Sequence, residues 1–271
     1  MRIVHVAVIA VAAMVVIVGM GIWLLEGGPG PLGSPPPGLP PADPDNPGDG
    51  PEARYRELEE ADLVALFPAH VVRAGPGDQR LVALTFDDGP DDRYTPQILD
   101  VLRRERVPAT FFVTGVRAQE NPQVLRRIIR DGHAVGNHGY LHARYAGLTP
   151  AQIEADLQEN VRLLRQHGVS DNRLFRPPYG ALGVQGAETV IAQKYTIVLW
   201  TIDPRDWLSP PADQIVDTVL ANIRPGAIIL LHSAGGPGQS LEGTVEALPR
   251  IIRALRDQGY RFVTVPDLLH S

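Results

Sequence analysis

Short apolar segments alternate with longer amphipathic segments from about residue 80 to the C-terminus, and this alternation constrains the fold more than any other feature of the chain. Segment 227–232 has the length and the branched apolar content of a buried strand. Segment 149–167 reads as a helix that begins at Thr149, a good N-cap, and stops at Gly168. The last strand is expected at 261–265. Alternating strands and helices imply a parallel α/β sheet or barrel, whose active residues lie at the carboxyl ends of the strands.

Two adjacent carboxylates, Asp87 and Asp88, follow the apolar run 81–84 and precede the turn residues Gly89 and Pro90. Side by side, two carboxylates repel each other unless a cation lies close to them. The pair is therefore either a solvated acidic turn or part of a site that contains a metal ion or an arginine.

Further ionisable side chains follow the other predicted strands. They are His138 and His142, Arg176, Asp203 and Asp206, and His232. Each one alone has a structural explanation, such as a salt bridge or a histidine at the rim of a barrel. Their joint placement at one edge of a parallel sheet instead indicates a catalytic site.

The residue types indicate metal-assisted hydrolysis. Two imidazoles and one carboxylate, from His138, His142 and Asp88, form a three-ligand set suited to Zn²⁺ or Co²⁺ with open positions. A divalent ion at such a site lowers the pKa of water and polarises a carbonyl group.

The remaining ionisable residues fit proton-transfer roles. Asp87 is the candidate general base, and Arg176 is a natural partner that keeps its carboxylate ionised. His232 is the candidate general acid, with Asp206 as the preferred carboxylate partner and Asp203 as the alternative. The candidate substrate-binding residues are Pro178, Tyr179, Trp207 and Leu230.

These motifs occur in an order that resembles the polysaccharide deacetylases of carbohydrate esterase family four, the NodB-type domain. The resemblance rests on the runs 85–90 (TFDDGP), 138–142, 176–179 (RPPY), 203–207 (DPRDW) and 230–232 (LLH). It implies a distorted (β/α) barrel with fewer than eight repeats, and removal of N- or O-acetyl groups from sugars with Zn²⁺ or a similar ion. It also implies that the backbone amide of Tyr179 helps to hold the oxyanion. The base, ligand and acid roles that it implies coincide with those assigned above.

Two positions depart from the family pattern. Gly139 follows the first metal histidine, where the family usually has Ser or Thr, and Ser233 follows the acid histidine, where Asp is frequent. Because the missing hydroxyl normally steadies the ligand loop, we expect weaker metal affinity but no loss of activity.

An apolar segment at the N-terminus, residues 3–25, is long enough to cross a membrane. At about 1.5 Å per residue it spans roughly 35 Å, against a hydrocarbon core of about 30 Å. A cleavable signal peptide has an apolar region of only about 7–15 residues, so we expect an uncleaved anchor within residues 1–26, with signal cleavage and secretion as the alternative. The positive charge of Arg2 predicts a cytoplasmic N-terminus and an extracellular catalytic domain, and hence a single-pass protein of the cell membrane.

The sequence predicts three further regions after the anchor. Residues 27–51 form a Pro/Gly-rich disordered linker, residues 52–79 a lead-in segment that packs on the domain, and residues 80–271 the deacetylase domain. The formal net charge of −6 argues against a nucleic-acid partner, and the absence of cysteine excludes disulfides and thiolate metal sites. We expect a monomer.

The expected substrate is an acetylated polysaccharide. An anchored domain on a long spacer favours the amino sugars of peptidoglycan, N-acetylglucosamine or N-acetylmuramic acid. Chitin or chitooligosaccharides are the second choice and acetylated xylan is the third. Hydrolysis of another amide, such as a peptide, and a non-catalytic wall-binding module remain alternatives from other classes.

Overall fold

The computed structural model describes residues 60–170 and 173–271, which contain one eight-stranded sheet whose ladders are all parallel. The strands are β1 (Val71–Val72), β2 (Leu81–Asp87), β3 (Thr110–Val113), β4 (Ala134–Asn137), β5 (Leu174–Phe175), β6 (Thr196–Val198), β7 (Ala227–His232) and β8 (Arg261–Phe262). The helices are α1 (Glu60–Leu66), α2 (Tyr94–Glu105), α3 (Gly115–Glu120), α4 (Pro122–Arg130), α5 (Pro150–Gln166), α6 (Val184–Ala192), α7 (Ala212–Asn222), α8 (Glu242–Asp257) and α9 (Val265–Leu269).

The sheet is curled into an incomplete barrel. Its strand order is β1-β6-β5-β4-β3-β2-β7, with β8 also paired to β2. Two residues of the edge strand β7, Ala227 and Ile229, form isolated bridges with Ala74 and Ile202, which follow β1 and β6 at the other end of this order. The two edges therefore approach each other without forming a full ladder. Every strand except β1 is followed by a helix, which agrees with the expected barrel of fewer than eight repeats.

The strands are buried on both faces, as in other parallel sheets. All seven residues of β2 are buried, which explains why its first four residues, 81–84, form a continuous apolar run rather than an alternating one. Side chains from four strands, Ala83, Phe112, Val198 and Ile228, belong to one cluster. This packing fixes the register of the strands and therefore the positions of the residues at their carboxyl ends.

Local sequence signals account for the ends of several helices. The Thr149 hydroxyl accepts the backbone N–H of Gln152, and the two residues form a capping box at the start of α5. The predicted strand 261–265 is wrong in its second half: β8 ends at Phe262 and Val265 begins α9. The physical reason is an N-cap, because the Thr264 side chain accepts the backbone N–H of Asp267.

The predicted membrane anchor at residues 3–25 and the predicted linker at residues 27–51 lie outside the described residues. Within the described ranges, no helix combines the length and the apolar character that crossing a membrane requires.

Candidate metal centre and active site

The carboxyl ends of the central strands bring the predicted site residues together. Asp87 at the end of β2 is the register partner of His232 at the end of β7. On the other side of β2, β3 pairs with β4, whose last residue precedes His138. Neighbouring parallel strands thus place a carboxylate and two imidazoles at one edge, as the alternation of strands and helices predicts.

Three of these side chains form a cluster that could hold a metal ion. Each of Asp88, His138 and His142 offers one ligand atom, and these three atoms lie within 4.8 Å of one another. Asp88 Oδ1 is 2.9 Å from His142 Nε2 and 3.3 Å from His138 Nε2. Burial raises the pKa of Asp88, but its interactions with the histidines outweigh burial and hold the pKa well below its usual value. The cluster therefore contains an ionised carboxylate.

The hydrogen bond that His138 makes through Nδ1 indicates that this cluster suits a cation. Its Nδ1 lies 2.7 Å from the backbone oxygen of Arg176, which can only accept a hydrogen bond, so Nδ1 carries the ring proton. This leaves Nε2 to face Asp88 Oδ1, a buried atom for which no hydrogen bond of normal geometry is found among the described residues. A metal-ligating histidine usually donates its other ring N–H to a carbonyl or carboxylate oxygen in this way, so the donor set fits a divalent ion.

The backbone turns sharply at two of the candidate ligands. Asp88 has φ 70° and His142 has φ 56°, in the left-handed region that is strained for residues other than glycine. Successive side chains of a strand point to opposite faces. The left-handed turn at Asp88 allows its carboxylate to enter the same cleft as that of Asp87.

The loop that carries the histidines is bound to helix α5 through two asparagines. The Asn160 amide donates to the backbone oxygens of Val113 and Gly139 at 2.9 and 2.8 Å, and to the side-chain oxygen of Asn137 at 2.8 Å. That oxygen of Asn137 also accepts the backbone N–H of Gly139 at 2.8 Å. Sequence reasoning missed Asn160, although a polar residue among the apolar positions on the buried face of α5 was an available signal.

Asp87 is paired with a fully buried guanidinium. Arg176 Nη1 donates to Asp87 Oδ1 at 2.8 Å and to Thr85 Oγ1 at 2.8 Å. The other guanidinium nitrogens donate to the backbone oxygens of Val198 and Leu199. Arg176 is 0% exposed, and an uncompensated charge at this depth would be costly, so Asp87 is its counter-ion.

His232 is paired with Asp206 rather than Asp203. His232 Nδ1 lies 2.7 Å from Asp206 Oδ1, and the other oxygen of Asp206 accepts the backbone N–H of His232 and the Thr244 hydroxyl, both at 2.9 Å. Asp203 instead accepts the backbone N–H of Arg205. Burial lowers the pKa of His232, but the charge and hydrogen bond of Asp206 outweigh burial and raise the pKa to about 9. Of the two carboxylates left open by the sequence, the geometry selects Asp206.

Exposed apolar side chains are present on the loops that bear the site residues. Tyr179 is 62% exposed, and its ring contacts that of His142 edge-on with 4.6 Å between centroids. Trp207 is 39% exposed. The other two candidate substrate-binding residues, Pro178 and Leu230, are buried. Sequence reasoning missed the exposed side chains of Leu141 and Leu208, each of which adjoins a predicted site residue.

Comparisons with known proteins agree with this geometry. A family model for polysaccharide deacetylases matches residues 74–198. The chain is 40% identical over 196 residues to a peptidoglycan-N-acetylglucosamine deacetylase of Bacillus cereus, across 72% of this chain and 90% of that protein. It is 41% identical over 205 residues to a chitooligosaccharide deacetylase of Sinorhizobium fredii, across 73% and 95% of the two chains. The crystal structure of the Bc1960 peptidoglycan N-acetylglucosamine deacetylase in complex with 4-naphthalen-1-yl-N-oxidanyl-benzamide matches with a TM-score of 0.73 and 36% identity, across 77% of this chain and 96% of that one.

The curled parallel sheet and its likeness to these proteins define the class as NodB-type α/β hydrolases that act on carbon–nitrogen bonds. Within that class, the chain belongs to the polysaccharide deacetylase family, carbohydrate esterase family 4. The family resemblance inferred from the sequence motifs is thereby confirmed.

Proposed function

We propose that the protein is a metal-dependent N-deacetylase that hydrolyses the acetamido groups of peptidoglycan amino sugars, N-acetylglucosamine or N-acetylmuramic acid. One observation carries the proposal. The three candidate ligands lie beside two separate proton-transfer groups, a carboxylate paired with an arginine and a histidine paired with a carboxylate. Hydrolysis of an amide needs both groups, because a proton must leave the attacking water and another must reach the departing nitrogen.

Each residue has a distinct role in this mechanism. Asp88, His138 and His142 would hold the divalent ion, for which Zn²⁺ is the first candidate and Co²⁺ the second, since the candidate ligands are two imidazoles and a carboxylate. When bound, such an ion polarises the acetyl carbonyl and lowers the pKa of water. Asp87 takes a proton from the attacking water, and Arg176 orients the Asp87 carboxylate through an ion pair at 2.8 Å. The products are acetate and a free amine.

The second proton transfer belongs to His232. Because Asp206 accepts a hydrogen bond from Nδ1–H of His232, the Nε2 atom of His232 is the one that protonates the departing amine. Asp206 fixes the ring orientation and stabilises the imidazolium form. The backbone N–H of Tyr179 is the candidate donor to the oxyanion, and the exposed rings of Tyr179 and Trp207 offer apolar faces to a sugar.

Two relatives support two substrates. The peptidoglycan-N-acetylglucosamine deacetylase of Bacillus cereus supports the first choice, and the chitooligosaccharide deacetylase of Sinorhizobium fredii, at similar identity, supports the second. The apolar segment 3–25 and the linker 27–51 favour peptidoglycan, because they would hold a monomeric catalytic domain outside the membrane and close to the wall. Cleavage of that segment would make the enzyme a secreted one.

Acetate release from the purified full chain tests the proposal. The metal-free chain, prepared with a chelator, would be reloaded with Zn²⁺ or Co²⁺ and given peptidoglycan, chitooligosaccharides or acetylated xylan. We expect release to require the metal and to be fastest with peptidoglycan. Faster release from chitooligosaccharides would favour the second substrate, and release from xylan alone, or from none of the three, would refute N-deacetylation.

A further inference from the structure

A buried carboxylate outside the candidate ligand set binds the loop that carries His142. Asp156, on helix α5, is 9% exposed, and its two oxygens accept the backbone N–H groups of Tyr140 at 2.8 Å and Leu141 at 3.0 Å. These are the two residues that immediately precede His142 in the chain. One side chain therefore binds the loop at two consecutive amides on the N-terminal side of the ligand.

The same carboxylate also binds the loop on the C-terminal side of His142. The Tyr145 hydroxyl, which is fully buried, donates to Asp156 Oδ2 at 2.6 Å. Burial and the neighbouring charge of Asp156 raise the pKa of Tyr145 well above its usual value, so the hydroxyl keeps its proton and remains a donor. Asp156 thus joins residues 140, 141 and 145, and His142 lies between them.

Gly139 provides the space for this arrangement. Its φ is +74°, and a Cβ atom at this position would lie 2.7 Å from Asp156 Oδ2 and 3.1 Å from the Tyr145 hydroxyl. A side chain at residue 139 would therefore displace the carboxylate or the phenol. The sequence led us to expect that the missing hydroxyl at Gly139 would loosen the loop, whereas the structure has a buried carboxylate and a phenol in the same place.

The two histidines are supported differently. His138 is buried and its Nδ1 donates to the Arg176 backbone oxygen, which fixes the ring directly. Within the described residues, His142 Nδ1 has no such partner. The His142 ring contacts the rings of Tyr179 and His138 and approaches Asp88 through Nε2. The backbone of His142 must therefore be fixed by other groups if the ring is to stay in place.

We propose that Asp156 and Tyr145 are positioning residues that fix the backbone around His142 and thereby set the affinity of the Asp88–His138–His142 site for its divalent ion. The proposal rests on the ligand assignment in the proposed function. Groups that orient metal ligands commonly contribute about 10- to 100-fold to metal affinity, although they do not touch the metal.

Tyr145→Phe in the full chain is the decisive variant, because it removes only the hydroxyl and keeps the ring that packs on Phe175. Tyr140→Phe is the matched control: its hydroxyl is on the same loop but donates to Gln119 instead of Asp156. The measurement is the dissociation constant of Zn²⁺ by competition with a chromophoric chelator, without any sugar. We expect an increase of about 10- to 100-fold for Tyr145→Phe and less than about twofold for Tyr140→Phe.

Equal Zn²⁺ affinity in Tyr145→Phe and Tyr140→Phe would overturn the positioning role, even if Tyr145→Phe unfolded at a lower temperature. If Tyr145→Phe fails to fold, Asp156→Asn, which keeps the size of the side chain, takes its place with the same readout. The visible spectrum of the Co²⁺ form gives a second readout, because a displaced His142 changes the ligand geometry. A wild-type chain that binds no Zn²⁺ would refute the metal site itself, so failure of the proposed function and failure of the positioning role give different results.

Discussion

At the scale of single residues, adjacent carboxylates in this chain have separate surroundings. Asp87 is 4% exposed and lies against the Arg176 guanidinium, whereas the left-handed backbone of Asp88 turns the next carboxylate toward His138 and His142. The nearest partner differs for each carboxylate, which offsets their mutual repulsion, although His138 Nε2 also lies 3.8 Å from Asp87 Oδ2. One carboxylate is thus available for proton transfer while the other faces the imidazoles.

Asp87→Asn should remove the proposed base and leave the metal site intact. The amide keeps an oxygen for Arg176 but leaves its buried charge unbalanced, so we expect a lower unfolding temperature. We expect Zn²⁺ binding as in the wild type, while acetate release falls by about 10²- to 10⁴-fold. Metal content, unfolding temperature and kcat would be measured on one preparation. Turnover equal to that of the wild type at full metal content would exclude Asp87 as the base.

Asp206→Asn should move the alkaline limit of activity to lower pH. A general acid works while it is protonated, so activity is present below the pKa of His232 and is lost as the pH rises through that pKa. In the metal-free chain this pKa is raised to about 9 by Asp206, and a bound dication lowers it through charge repulsion. The pH profile of kcat/KM for the two metal-loaded proteins should show the alkaline limb shifted down by about one to two pH units in the variant. Superimposable alkaline limbs would exclude Asp206 as the group that tunes the acid.

At the scale of elements, the sequence predicts strands better than the groups that support the site. The bounds of β7 agree with the predicted segment 227–232 because it is a short apolar run that ends at a polar residue. Helix α3 was missed because it is only six residues long and follows β3 with one intervening residue. The contacts of Asp156 and Asn160 with the histidine loop join distant parts of the chain, and no local pattern specifies such a pairing.

The turn that leads into β4 contains a buried histidine whose titration should affect stability. His133 Nδ1 accepts the backbone N–H of Ala109 at 3.2 Å, and its ring packs edge-on against Phe111. Burial lowers the pKa of His133 from 6.5 to about 4. Between these values the unfolded chain takes up a proton that the folded chain does not, so the free energy of unfolding falls as the pH falls from about 6.5 to about 4.

His133→Gln should therefore flatten the pH dependence of stability in that window. Between pH 6.5 and 4, we expect the free energy of unfolding to fall by roughly 3 kcal/mol more in the wild type than in the variant. Denaturant unfolding of the metal-free chain measures this difference. The matched control is His270→Gln, which changes an exposed histidine. If the free energy of unfolding depends on pH in the same way in the wild type and in His133→Gln, the pKa of His133 is not lowered by the fold.

At the scale of the whole molecule, the site is assembled from strands that are distant in sequence. Asp88 follows β2, His138 and His142 follow β4, and the proposed acid His232 ends β7, so the site exists only when the sheet has formed. An ion held by these residues binds the folded chain and has no equivalent site in the unfolded chain. Metal binding should therefore increase the free energy of unfolding of the entire domain.

Zn²⁺ should raise the unfolding temperature of the metal-free chain, and His138→Ala should abolish the increase. At a free Zn²⁺ concentration 100 times the dissociation constant, binding adds about 2.7 kcal/mol to the free energy of unfolding. For a domain of this size, that corresponds to an increase of about 5–10 °C. His138→Ala removes a buried ligand and leaves only Asp88 and His142 at the cluster, whereas His270→Ala removes an exposed histidine elsewhere and should keep the full increase. Thermal unfolding of the three proteins with and without Zn²⁺ makes the comparison, and an equal increase in His138→Ala would mean that the stabilising ion binds at another site.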